Sequence, residues 1–145
     1  MTTYKTIEER EEEITDDFSL FDSWEEKYEY IIDLGKKLAP LEEQYKQEEN
    51  IIKGCQSTVW LVSDFKDGKV FYKADSDAVI VKGLVSMLIK VLSGHEPDKI
   101  LNAKLDFIKD IGMMTHLAQT RSNGLLSMVK QIKNYALAYK SVNVV

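Results

Sequence analysis

Residues 57–74 read STVWLVSDFKDGKVFYKA, and the period of this stretch decides the fold. Val59, Leu61 and Ser63 oppose Thr58, Trp60 and Val62, and further on Val70, Tyr72 and Ala74 alternate with Phe71 and Lys73. A period of two belongs to a strand, whose successive side chains point to opposite faces. Between the runs lies Asp67-Gly68, a dipeptide that tolerates positive φ and suits a tight hairpin turn. Two antiparallel strands are expected, and Ile51 to Lys53 offers a short third strand at an edge.

On both sides the period lengthens to that of a helix. Downstream, Asp75 to Asp77 supply cap candidates and negative charge where a helix dipole favours it. A helix to about Ser93 follows, apolar on most sides and closed by Gly94, and such a helix is expected to be the buried spine. Short helices are predicted from Glu96-Pro97 to Leu101 and from Lys104 to Ile111, the second ending at Gly112. In the last long helix Leu125, Met128, Val129, Ile132, Tyr135 or Ala136, and Tyr139 share one face. Upstream, Ser23 and Glu26 have capping-box spacing, Trp24, Tyr28, Ile31, Gly35 and Leu38 recur at helical spacing, and Pro40 stops the helix. The expected fold is α+β: a small antiparallel sheet of two to three strands packed against several helices.

The chain has 145 residues, enough for one domain with its own core. Residues 1–20 are acidic and poor in apolar groups, and they read as a frayed or loosely helical extension with Ile7, Ile14 and Phe18 as docking points; residues 21–145 read as the single folded domain. A net charge of -5 and the absence of a Lys/Arg stripe argue against nucleic acid as a ligand. No apolar run reaches the roughly 20 residues that span a membrane, and the N-terminus lacks a secretory or organellar targeting pattern, so a cytoplasmic address is expected.

The single cysteine, Cys55, cannot form an internal disulfide and falls short of the four ligands of a structural zinc site. It is either an inert core thiol or a reactive one. A thiolate is the nucleophile, so reactivity requires something that favours the anion. Lys53 is a local cation, Gly54 allows close backbone approach, and Gln56 and Ser57 bring donors. His95 and His116 stand in no motif that pairs them with the cysteine, which argues against a cysteine hydrolase, and His116 reads as a capping or packing residue. No phosphate-cradling glycine loop, metal-binding histidine pair or lysine-bearing cofactor motif is present.

Four stretches in order resemble the SufE family of sulfur acceptors that partner cysteine desulfurases. They are WEEKYEYIIDLGKKL at 24–38, GCQSTVWLV at 54–62, ADSDAVIVKGLVSMLIKVLSG at 74–94 and RSNGLLSMVKQIK at 121–133. The resemblance covers nearly all of the chain after Phe21 and implies a fold like that of SufE and of the IscU-type scaffolds. It implies that Cys55 takes sulfane sulfur from the persulfide of a pyridoxal-phosphate-dependent desulfurase, stimulates that enzyme, and passes the sulfur to an iron–sulfur scaffold. The chain itself would need no cofactor and no metal.

Arg121 is then expected near the cysteine loop or at the desulfurase interface. Gly54, Gln56 and Ser57 would shape the loop, Asp75 and Asp77 would cap the helix start near it, and Asn123 and Gly124 would shape a loop-to-helix junction. The run HLAQTRSNGL has Gln119 and no proline ahead of the arginine, where family members often carry one. Two further readings stay open: an iron–sulfur scaffold that pools cysteines between chains, and a partner-binding domain with a structural cysteine.

Overall fold

The computed structural model describes residues 5–142. Its sheet is the expected hairpin. Strand β1 (Val59–Lys66) pairs antiparallel with β2 (Lys69–Ser76), in a register that sets Val59 opposite Ser76 and Lys66 opposite Lys69. Asp67 and Gly68 form the turn with φ of 53° and 77°, the positive pair that a two-residue hairpin loop requires. Val59, Leu61, Val70, Tyr72 and Ala74 are buried on the inner face. The expected third strand amounts to a bridge between Ile51 and Trp60, with the Ile52 N–H donating to the Val59 carbonyl.

Helix α1 (Ile7–Ser19) precedes α2 (Trp24–Lys37), and α3 (Val79–Leu92) follows the hairpin. α3 is the spine, with Leu84, Val85, Met87, Leu88, Val91 and Leu92 wholly buried. It crosses α2 where Gly35 and Gly83 meet: a Cβ on Gly83 would stand 2.2 Å from the Ile31 carbonyl oxygen. The Ser86 hydroxyl donates to the Leu34 carbonyl across the same contact at 2.8 Å. Three short helices, α4 (Pro97–Asn102), α5 (Phe107–Asp110) and α6 (Met113–His116), lead to α7 (Gln119–Val142). α7 lies against the sheet: Tyr72 donates to the Ile132 carbonyl and Tyr135 to the Leu61 carbonyl. No helix among the described residues is long and apolar enough to cross a membrane.

Several expectations need correction. The acidic N-terminal segment, read as frayed or loosely helical with order beginning at Ser23, is a regular helix from Ile7 to Ser19; residues 1–4 lie outside the described ones. Thr6 and Glu9 close a reciprocal capping box, and Ile7, Ile14 and Phe18 are buried in the core. Seven-residue spacing from Ile7 to Ile14, with Phe18 four residues on, places all three on one face, so the carboxylates form only the outer side. Asp75 and Asp77 do not cap α3. β2 runs on through Ser76, Ala78 takes the cap position without a side-chain bond, and the Ala78 N–H donates to the Ser76 hydroxyl. The helix predicted from Lys104 starts only at Phe107, because Leu105 is buried with a φ of 57° that breaks the helical path. The connection before the last helix contains α6, which stacks His116 on Trp24 at 3.9 Å between ring centroids.

Candidate functional site

The loop Lys53–Thr58 leaves the sheet edge after Ile52 and returns at Val59, two residues that are themselves hydrogen-bonded. Such pinning makes the loop an excursion with fixed ends. Gly54 has φ of 95°, and a Cβ there would stand 2.4 Å from the Ser127 hydroxyl oxygen on α7. Backbone conformation and space both call for glycine at this position. At its far end the loop is tied to the start of α3. The Thr58 N–H donates to the Asp77 carboxylate at 3.1 Å, and the Ser76 hydroxyl donates to the Thr58 carbonyl at 2.8 Å.

Cys55 sits on this loop, half-buried and facing the first turns of α7. Its thiol donates to the Gly124 carbonyl at 3.6 Å, and a Cβ on Gly124 would stand 3.4 Å from the sulfur. The thiol fronts an open cleft of about 300 Å³. Val81 and Leu84 from α3 and Met128 from α7 contribute apolar walls, while Gln56, Ser57 and Arg121 supply the polar ones. Burial pushes the Cys55 thiol up from its ordinary value, and no cation offsets it. Lys53, expected to favour the thiolate, is exposed on the loop and does not have that effect. The resting thiol is therefore shielded, and its surroundings disfavour the thiolate.

The expected site residues divide into two groups. Cys55, Gln56, Ser57, Arg121 and Gly124 are brought together around the cleft, with Gly54 behind the loop. Arg121 is exposed in the first turn of α7, and none of the ion pairs among the described residues involves it. Asn123 and Gly124 lie inside α7 and not at a loop-to-helix junction, because the helix already begins at Gln119. Asn123 accepts from the Gln119 side chain at 3.1 Å and does not line the cleft. Gln119 thus occupies the first helical position, where proline is also at home, so its presence leaves the turn intact.

Asp75 and Asp77 stand behind the cleft and not in it. Asp75 bridges Lys46 and Lys82, each at 3.3 Å. Burial works to raise its pKa, but the Ser76 N–H and the two lysines outweigh burial and hold the carboxyl below the usual range. Asp77 anchors Thr58 as described. Neither histidine lines the cleft. Sequence reasoning missed Ser127, Val81, Leu84, Ala118 and Met128. Ser127 lies three residues after Gly124 and so shares its helix face, which was the available signal. Val81, Leu84 and Met128 carry the pattern of ordinary core residues.

Similarity to known proteins extends over most of the chain. The family described as "SufE: Fe-S metabolism associated domain" matches residues 12–136, beginning inside α1 and upstream of Phe21. An uncharacterized SufE-like protein of Rhizobium meliloti is 40% identical over 130 residues, covering 86% of this chain and 93% of that protein. One from Synechocystis is 40% identical over 114 residues, covering 79% of this chain and 72% of that protein. The solution structure of a hypothetical protein from Thermus thermophilus superposes with a TM-score of 0.76, covering 91% of this chain and 96% of that one. At 18% identity that likeness concerns the fold alone.

Proposed function

The chain belongs to the SufE family, a family associated with iron–sulfur metabolism, and from that premise we propose that it is a sulfur acceptor and carrier. Cys55 takes sulfane sulfur from the persulfide of a pyridoxal-phosphate-dependent cysteine desulfurase of the SufS type and passes it to an iron–sulfur assembly scaffold in the cytoplasm. The observation that carries the reading is the seat of the cysteine: the chain's one thiol lies half-buried on a loop, packed against the edge of the core and fronting a cleft.

The step is a thiol–disulfide type of exchange. The Cys55 thiolate attacks the outer sulfur of the partner's persulfide, the old sulfur–sulfur bond breaks, and the partner's cysteine leaves as a thiolate that takes up the proton. No oxidant is consumed. The chain acts as an accessory protein with a covalent intermediate on Cys55, and it stimulates the desulfurase by clearing its persulfide. Burial disfavours the thiolate at rest, so docking must expose it or bring a cation to it. Arg121 at the cleft supplies positive charge for the bound persulfide or for the partner's surface. Gln56, Ser57, Gly54 and Gly124 hold the loop, while Asp75 and Asp77 hold its base.

Intact-mass spectrometry without reductant, after incubation with a desulfurase and cysteine, tests the reading. The expected result is a gain of one sulfur atom, reversed by thiol and absent in Cys55→Ala, together with faster desulfurase turnover. Unchanged mass and unchanged turnover with several desulfurases would overturn it.

A further inference from the structure

The cleft beside Cys55 has room for more than one extra sulfur atom. At about 300 Å³ it lies at the lower end of the range for small-molecule sites. Val81, Leu84 and Met128 give it an apolar wall, and Arg121 stands on its polar side. Arg121 and Gly124 are separated by three residues on one helix, so their Cβ positions are neighbours on the same face. Since the Gly124 Cβ position is 3.4 Å from the Cys55 sulfur, the arginine stem begins one helical turn from the reactive atom.

No ion pair among the described residues engages Arg121, and no carboxylate lines the cleft. A guanidinium is planar, permanently charged and matched to a carboxylate by its forked donors. One with no counter-charge, a turn away from a sulfur nucleophile and beside an apolar wall, suits a small molecule with an acid at one end and a thiol at the other.

We propose that the Cys55 persulfide is also discharged to free small thiols that carry a carboxylate, with Arg121 on the polar side of the cleft holding the acid. This inference rests on the persulfide reading above. The incoming thiolate attacks the outer sulfur of the persulfide, the bond to the Cys55 sulfur breaks, and Cys55 leaves as a thiolate that takes up the proton given up by the small thiol. The products are a small-molecule persulfide and free Cys55, with no net oxidation. Sulfur would then leave this protein in soluble form for any reaction that consumes a low-molecular-weight persulfide.

The test installs the sulfur chemically, so that no desulfurase takes part. Cys55 of the full chain is converted to its mixed disulfide with thiopyridine and then to the persulfide with sulfide. Discharge by 3-mercaptopropionate and by its amide is followed by intact mass for the wild type, Arg121→Gln and Arg121→Lys. Comparing ratios of rates cancels the intrinsic reactivity of the two thiols. The carboxylate-to-amide ratio is expected to be about ten-fold higher in the wild type than in Arg121→Gln. Arg121→Lys is expected to be intermediate, and the wild-type ratio is expected to shrink at high salt. Equal ratios in the wild type and Arg121→Gln would overturn the inference, as would release of sulfide with a mixed disulfide left on Cys55, the mark of attack at the inner sulfur. Failure of a desulfurase to load Cys55 would instead sink the carrier reading, which this measurement does not use.

Discussion

The two ends of α3 are held in opposite ways. Its C-terminal end is locked from three directions. Arg10 of α1 donates to the Lys90 and Ser93 carbonyls at 3.2 and 2.8 Å, the Gly94 N–H donates to the Val70 carbonyl at 2.7 Å, and the Ser93 hydroxyl accepts from the Tyr72 N–H at 3.0 Å. The N-terminal end has no side-chain cap and is tied through Ser76 and Asp77 to Thr58, the end of the cysteine loop itself. One pole binds α1, β2 and α3 into a unit. At the other pole a few polar links hold the reactive loop against a cleft. The proposed sulfur transfer would draw on both, a rigid frame and a loop that can rearrange without disturbing it.

The contrast can be broken most severely at the frame. Gly83→Ala would drive a Cβ to 2.2 Å from the Ile31 carbonyl oxygen and 2.6 Å from its Cγ2. Backbone cannot move aside cheaply, so a loss of about 3 kcal/mol is expected in urea unfolding, at the upper end of overpacking costs. At the locked pole, Arg10→Met keeps the aliphatic stem and removes two charge-assisted bonds to helix carbonyls. Arg10 is only partly buried, and a loss of about 1 kcal/mol is expected, with Cys55 reactivity unchanged.

His95 sharpens the same pole through pH. It is buried, its Nε2 has no partner among the described residues, and its carbonyl accepts from the Val70 N–H. Burial lowers its pKa first, and Arg10, Lys69 and Lys99 lower it further against the opposing effect of Glu8. The unfolded chain therefore binds the proton more readily than the folded one. Stability is full above the unfolded value of about 6.5 and is lost as pH falls toward the lower folded value. His95→Asn is expected to flatten that acid limb in unfolding curves taken from pH 7 downward. An acid limb of unchanged slope would rule out this role.

Smaller effects are expected at the open pole. Gly124→Ala places a methyl in ordinary contact with the Cys55 sulfur and gains helix propensity of about 1 kcal/mol, so stability should hold or rise slightly. The added methyl covers the seat without displacing it, so alkylation of Cys55 should slow slightly. In the wild type, the alkylation rate of Cys55 should keep climbing with pH beyond the ordinary thiol value of about 8.5, because burial disfavours the thiolate. A plateau at the ordinary value would mean that the resting thiol is not shielded.

How much of this was legible depended on the range of the signal. The hairpin, the α3 spine and the buried face of α7 follow from periods and turn residues that are neighbours in the chain. The docking points Ile7, Ile14 and Phe18 were legible, but the regularity of the N-terminal helix was not, because its carboxylates outnumber its apolar groups. Ile7, Ile14 and Phe18 nonetheless suffice to dock one face, and most helical stability comes from such packing. The site was half legible. Arg121, expected near the cysteine loop or at an interface, lines the cleft, whereas Gly124, expected at a loop-to-helix junction, lies inside α7 against the Cys55 sulfur, and Asp75 and Asp77 were given to a cap that the extra length of β2 made impossible.

Residue pattern alone specifies a two-stranded hairpin closed by Asp67-Gly68, a buried central helix, and a lone thiol on a glycine-bearing loop between sheet edge and strand. These features are set by steric and hydrophobic preferences that act over a few residues. Packing brings Ser127 into the space beside Gly54, sets the Gly124 carbonyl against the Cys55 thiol, and buries that thiol so that its pKa rises. The physical reason is separation along the chain. The Cys55 sulfur and the Gly124 carbonyl are 69 residues apart, and contact, desolvation and field at the sulfur exist only once α7 has packed across the sheet.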